Sequence, residues 1–523
     1  MLSAVKPTIA EAASDGVWIR TVPSKAYATH QSPGFLLLFL VFSIELIAIS
    51  VVRLPESMRF DRFAFCDHGT NLTLQYLISQ GLRPSIDFGY AYGLLSALFG
   101  RCWFAIFGAT PWAYQAAMEC FALVFAWATA KTLAQLKIGW VGVALTIIAA
   151  GYAYQATYVN FAHAIEAALI SHAIAEQACG RRANALVLAS VSVFAKPAMG
   201  FVYSLLLAVL IMQRLVAGGF DFRRWVAAFS STAIAFVSVA IALASIYGVA
   251  TLVHTTLPME GARNYRALNF GITRAGSAFW DPQGLPWSIY LVDVSGFWIM
   301  ATVFLLCAAA YQLIRIYSGG RAFDALSEIL VTCTILHLAF VTLFFGNQWS
   351  WIYYSYLLVI GCAIATELGT SARRIGFVLC AVALFSWTDV AYWTYRWWHT
   401  TAPDAATAGL WAPRDERDAW AELLANTRGH KAVMLATGGA TELLFPGFEP
   451  PTSLFLLKGL MLPAEIQRKV AEISGADIVI VPNTIESCSG VPKAAEFNAA
   501  LKPFELTPGK YFDIYRRGSA YAY

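Results

Sequence analysis

Residues 34–52 read GFLLLFLVFSIELIAISVV, an apolar run close to the roughly 20 residues that a helix needs to cross a bilayer core. Outward from it, comparable runs recur at Ala91–Gly108, Trp112–Ala130, Ile138–Tyr158, Phe161–Cys179, Ala183–Ala195, Ala198–Gln213, Val226–Tyr247, Val292–Ile314, Ser327–Phe345, Ile352–Thr366 and Ile375–Tyr392. The shorter ones fit tilted, broken or buried helices. Composition agrees: 58% of the residues are hydrophobic and 13% charged, against roughly 25% charged in soluble proteins. The 17 Trp, 23 Tyr and 35 Phe suit a protein with two bilayer interfaces, where amphipathic rings collect. The chain therefore reads as a polytopic α-helical membrane protein of about 11–13 spans.

Residues 1–33 are mostly polar and no small-residue cleavage site follows the first run, so the start reads as a short cytoplasmic tail before a signal anchor. A formal net charge of +4 is too small for the chain's size to suggest nucleic acid as a partner. The nine cysteines show no CxxC or Cys/His ligand spacing. Seven of them lie in apolar stretches and read as small hydrophobes. Cys66 and Cys488 lie outside those stretches, and their pairing stays open.

Basic residues orient the spans. From Lys131 onward, clusters at Lys131/Lys137, Arg181/Arg182, Arg214/Arg223/Arg224, Arg315/Arg321 and Arg373/Arg374 fall on one side, which is then the cytoplasm. The loop 53–90, the loop 249–291 and everything after Trp393 are expected outside. Twelve full crossings from an inside tail would return the C-terminus to the cytoplasm. One segment within Ala91–Ala130 is therefore expected to be re-entrant, doubled or no span at all. Arg53, Arg59, Arg62 and Arg83 sit on the exterior side against the usual bias, where they bind an anion or snorkel at the interface. After the membrane region (34–392), residues 404–523 alternate helix and strand patterns and read as a small α/β exterior domain.

The informative exterior stretch is Asp67–Gly93, DHGTNLTLQYLISQGLRPSIDFGYAYG. Leu72, Tyr76 and Leu77 share one helical face and Asn71 and Gln75 another, the pattern of an amphipathic helix on a membrane surface. Asp67 falls at its expected N-cap, Gly81 at its end and Pro84 beyond. The segment resembles the first exterior loop of the GT-C membrane glycosyltransferases, relatives of the bacterial aminoarabinose and mannosyl transferases. Asp67, Gly69, Gly81–Pro84, Asp87–Phe88 and Tyr92–Gly93 carry the likeness, and Lys196–Pro197 with Gly200 adds to it. The chain departs from the family pattern at His68, where a second acid is usual, and at Leu94, where a Pro is usual. The loss of that acid leaves a divalent metal open as a cofactor.

The resemblance implies inverting transfer of a sugar from a polyprenyl-phosphate donor to an envelope glycolipid, polysaccharide or protein, outside a bacterial inner membrane. Asp67 would be the general base, because a carboxylate in hydrogen-bond reach of the acceptor hydroxyl takes its proton as the bond forms. Asp87 would orient the acceptor, with His68 and Tyr92 beside it. Lys196, alone in an apolar stretch where an ammonium is costly, would meet the donor phosphate, together with Arg263, Arg266 and Arg274 of the second exterior loop. His163 and Glu166, one turn apart near the outer end of a span, would contribute to the same site. Plainer roles compete: a helix cap for Asp67, an Asx turn for Asp87, snorkelling for Lys196, solvated loop positions for the arginines, and an intramembrane hydrogen-bond network for His163 and Glu166. The Asn71 sequon falls inside the helix, and no nucleotide fingerprint surrounds Gly438–Gly439. A transporter or flippase, and a polymerase or ligase of lipid-linked glycans, are the rival readings. Two related halves with matching broken helices, the usual mark of a transporter, are not visible.

Overall fold

The computed structural model describes residues 34–155, 160–217, 222–257, 294–318, 323–339, 354–436, 438–454, 461–483 and 495–518. Arg263, Arg266, Arg274 and Cys488 lie outside the described residues. The helices are α1 (Phe35–Val52), α2 (Asp67–Ser79), α3 (Leu94–Phe107), α4 (Pro111–Gln135), α5 (Trp140–Gln155), α6 (Phe161–Ala178), α7 (Arg182–Ser192), α8 (Pro197–Ala217), α9 (Phe222–Tyr247), α10 (Val249–Thr256), α11 (Val294–Tyr317), α12 (Ala325–Leu338), α13 (Ser355–Ala365) and α14 (Thr370–Thr400). Six of them, within α1, α4, α8, α9, α11 and α14, are by length and composition apolar enough to cross a membrane. The architecture is polytopic and helical, as the sequence indicates.

The bundle has two ends that its ion pairs distinguish. At one, which we call the basic end, Lys131 of α4 bonds Glu176 of α6, while Arg182 and Arg214 both reach the buried Glu328 of α12, the latter at 3.0 Å. Glu367 there accepts from Gly139 N at 2.9 Å and faces Arg373. At the other, the domain end, Trp398 near the close of α14 donates to Val52 O at the close of α1 (2.5 Å), and Arg59 lies over Trp397. Each arginine of the loop 53–90 has an acidic neighbour: Arg53 and Arg62 meet Glu56, Arg59 meets Asp61, and Arg83 meets Asp87. Their charge is largely balanced within the loop.

Among the apolar runs, α3 sits differently from the rest. Its first turn bonds the turn after α7, with Gly93 N on Ala195 O at 2.9 Å and Leu95 N on Phe194 O at 2.7 Å. Further along, Phe99 and Phe104 pack on Phe161 at the start of α6, and Trp103 donates to Ala113 O at the start of α4. Both ends of α3 therefore sit at the domain end, and Ala91–Gly108 does not traverse the bundle. Apolar composition alone cannot separate such a helix from a crossing one.

Gly93 shows why the α3–α7 junction needs glycine. A Cβ there would stand 2.1 Å from Phe194 O and 2.4 Å from Phe194 C, both backbone atoms. Gly93→Ala is expected to destabilise the protein by about 1–3 kcal/mol through overpacking, read as a lower melting temperature in detergent.

Beyond α14 the chain forms a ribbon of β1 (Thr401–Pro403) and β2 (Trp411–Pro413), then α15 (Arg414–Thr427), β3 (Ala432–Met434), α16 (Pro463–Gly475), β4 (Ile478–Pro482), β5 (Phe504–Thr507) and β6 (Phe512–Arg517). The sheet order is β3-β4-β6-β5. β3 and β4 run parallel, with Val433 opposite Val479; β6 is antiparallel to both neighbours. The domain docks on the loop between α1 and α2 mainly through backbone. Trp411 N bonds Met58 O and Ala440 N bonds Phe63 O, both at 2.9 Å. An aromatic cluster of Phe60, Phe65, Trp420, Phe445 and Phe512 seals the joint.

Candidate functional site

The site is built around α2. The cap position belongs to Cys66, whose backbone is extended, and Asp67 is the first helical residue with no side-chain capping bond. The expected N-cap role for Asp67 is therefore corrected by one residue. The far end follows expectation: Gly81 N bonds Ile78 O, Leu82 N bonds Leu77 O, and Gly81 has φ +81°, a left-handed C-terminal motif. The helix does not lie on a surface. His68 through Leu74 are buried between the bundle and the C-terminal domain, because the polar face has partners on both sides. Thr73 donates to Gly439 O at 2.6 Å and Gln75 to Ala97 O at 3.1 Å. Gly69 is required there, since a Cβ would come within 1.8 Å of Phe63 O.

Asp67 is half-buried, and its carboxylate has no hydrogen bond among the described residues. Burial pushes its pKa up from 3.8 to about 6, with Arg62 pulling the other way. That is the profile of a general base: ionised near neutrality and unspent on structure. His68 packs between Phe63 and Tyr114 at ring distances of 5.3 and 5.4 Å. Burial, then the Arg62 charge, holds it neutral, down to about 3.

Asp87 is taken up by the loop. Its Oδ2 accepts from Arg83 N at 2.8 Å and Arg83 Nε at 3.0 Å, and its Oδ1 from the other guanidinium arm at 3.3 Å. These bonds hold its carboxyl below the usual range. Its backbone carbonyl also accepts from Arg468 of α16. Next to it, Glu465 accepts from Gly89 N at 2.7 Å and Leu462 N at 2.8 Å, and burial pushes this carboxyl up to about 7.

Three more candidates, Lys196, His163 and Glu166, do come together, around Tyr354. Lys196 Nζ donates to Tyr354 Oη at 2.8 Å and lies 3.0 Å from His163 Nδ1. Tyr354 donates to Glu166 Oε2 at 3.1 Å, and Lys196 stands 3.8 Å from that oxygen. All four side chains are buried, and the Lys196 ammonium also sits 5.1 Å from the Tyr354 ring centre. Glu166 Oε1 is buried with no partner among the described residues. The Tyr92 ring meets His163 edge-on at 5.8 Å.

A pocket of about 270 Å³, open solvent at its mouth included, lies beside α2 and borders the lysine cluster through Tyr92. Thr70, Asn71, Tyr90, Tyr92, Ser96 and Asn160 form its polar wall, and Leu454 of the C-terminal domain closes one side. Thr70, Asn71 and Leu74 continue the helical stripe headed by Asp67. Asn71 ties α2 to α6 by accepting from Phe161 N at 3.3 Å and donating to the Asp67 and His68 carbonyls. Asn160 caps α6 through His163 N at 3.1 Å. Sequence reasoning missed Tyr354, Asn160 and Ser96. An apolar run conceals which face its tyrosine occupies, and only an Asn just before a helical run hints at a cap.

Among the described residues, no group of three His, Cys, Asp or Glu side chains is arranged to hold a metal ion. Comparison with protein-family models, curated proteins and solved structures gives no match.

Proposed function

We propose that this chain is a GT-C-like glycosyltransferase that moves a sugar from a polyprenyl-phosphate donor to an envelope acceptor on the non-cytoplasmic face. One observation carries the reading. The helix headed by an unbonded Asp67 lends Thr70, Asn71 and Leu74 to a pocket whose Tyr92 in turn meets His163 of the buried lysine cluster, at the bundle end that also bears the soluble domain. In this reading Asp67 takes the acceptor hydroxyl proton as its oxygen bonds the anomeric carbon. The carbon–phosphate oxygen bond breaks with inversion, and the lipid phosphate leaves with its electron pair. Lys196 supplies cationic charge near that leaving phosphate. Tyr92 links the cluster to the sugar pocket. Asp87 acts at one remove, holding the loop shape.

Sidedness rests on the two ends. With α3 removed from the count, α1, α4–α9 and α11–α14 make eleven passes, bringing the C-terminal domain outside while the basic end faces the cytoplasm. Cys66 is disulfide-bonded, which suits an oxidising compartment beside Asp67. The seven membrane-region cysteines are free thiols, leaving Cys488 as the remaining thiol of the nine. Non-reducing peptide mapping of protein from membranes is expected to join the Cys66 peptide to the Cys488 peptide. Recovery of Cys66 as a free thiol would place this loop in a reducing compartment and overturn the sidedness.

The function is tested by mass spectrometry of lipid-linked and envelope glycans in a deletion strain. Complementation with the native chain is expected to restore a product one sugar larger. Unchanged glycans on deletion would remove the reading.

A further inference from the structure

We infer that the pocket selects an uncharged sugar ring, and that Asn160 is the residue that sets this preference; the inference deepens the transferase reading and rests on it for the nature of the ligand. None of the nine residues lining the pocket is charged. Lys196 is not among them and is engaged with Glu166, His163 and Tyr354. An ammonium or carboxylate on the sugar would find no counter-ion among the described residues that line this space, which is unfavourable. Hydroxyl groups face no such obstacle, since amide and hydroxyl side chains both donate and accept. Tyr90 and Tyr92 add flat apolar surface with a polar tip, a match for a ring that is apolar on one face.

Asn160 is the discriminating position because its two amide atoms do different things. The oxygen is spent on the α6 cap. The nitrogen makes no hydrogen bond among the described residues although the side chain is buried in the pocket wall. A free N–H donor pairs with a sugar hydroxyl oxygen and repels an ammonium, which offers only donors. Asn71 cannot play this part, since both of its amide atoms are committed.

The test uses the full chain in nanodiscs with four short-chain donors: neryl-phosphoryl glucose, mannose, 4-amino-4-deoxyarabinose and glucuronic acid. Binding is read by quenching of intrinsic fluorescence, and consumption by release of neryl phosphate in the presence of membrane extract. The neutral donors are expected to bind at least about 10-fold tighter than either charged one. Asn160→Asp keeps a residue equally good as an N-cap while replacing the free N–H by an anionic oxygen. It is expected to weaken the neutral donors about 10-fold and to favour the amino sugar over them. If a charged donor binds as well as the neutral ones, or if Asn160→Asp leaves the order unchanged, the inference fails while transfer can still be seen in the consumption assay. If the neutral donors bind preferentially and the order reverses as expected, yet no donor is consumed, the pocket assignment stands and the transferase reading falls. Absence of binding by all four overturns the inference.

Discussion

Asp67→Asn is expected to slow transfer by roughly 10²–10⁴-fold and, at about pH 8, to yield a protein more stable than the native chain. The two effects share one cause. Burial raises the Asp67 carboxyl from 3.8 to about 6, so between those values the folded chain holds a proton that the unfolded chain has lost. Above the folded value the native state carries an anion it would rather not have, and stability falls as pH rises through this window. At 1.36 kcal/mol per pH unit the cost reaches about 3 kcal/mol above neutrality, an upper figure for a half-buried group. Asparagine cannot ionise, so the variant escapes the cost. Below about pH 4 the advantage vanishes, because Asp67 is then protonated in both states. The same shift predicts that native transfer declines as pH drops below about 6. Thermal unfolding of both proteins across pH, beside the pH–rate profile, checks all of this. A variant that is inactive but also destabilised at high pH would make Asp67 a structural residue, and an active one would remove it from the chemistry.

Lys196→Met is expected to cost about 3–5 kcal/mol of stability, because it leaves the buried Glu166 carboxylate without its cation. Transfer is expected to fall in parallel, though that loss alone would be ambiguous. Adding Glu166→Gln separates the two. The double variant carries no uncompensated charge, and the glutamine oxygen still accepts from Tyr354. Its melting temperature is expected to recover most of the loss while its activity does not. Recovery of both would reduce Lys196 to a structural partner of Glu166, and recovery of neither would mean that His163 and Tyr354 need the ammonium for packing.

The sequence made the membrane region legible because apolar runs are long and their basic ends are unambiguous. Each of the twelve runs contains a helix among the described residues. Direction was harder to read. α3 has the composition of a span yet turns back, and only its contacts with Ala195, Phe161 and Ala113 reveal this. In the C-terminal domain β5 went unread, since an edge strand with one buried residue in four carries almost no alternation. Lys196, His163 and Glu166 stood out because charge at membrane depth demands partners. Tyr354 and Asn160 did not, since a phenol or amide costs little until its neighbours are known. Asp87 was legible as an acid in a turn, and its arginine partner four residues earlier, Arg83, lay in plain view as the reason it is occupied.

Leu454, which completes the pocket wall, lies 387 residues after Asp67. A ribosome therefore delivers the lysine cluster and the α2 stripe long before the last wall segment. Every helix of the bundle must be laid into the bilayer, and the final domain folded onto Phe63 and Met58, before the chamber is enclosed. Truncation after α14 would remove Leu454 from the pocket wall together with the Gly439, Ala440 and Glu465 contacts that hold α2 and its loops. The pocket wall is thus a late product of synthesis, finished only when the last sheet has formed against the loop before α2.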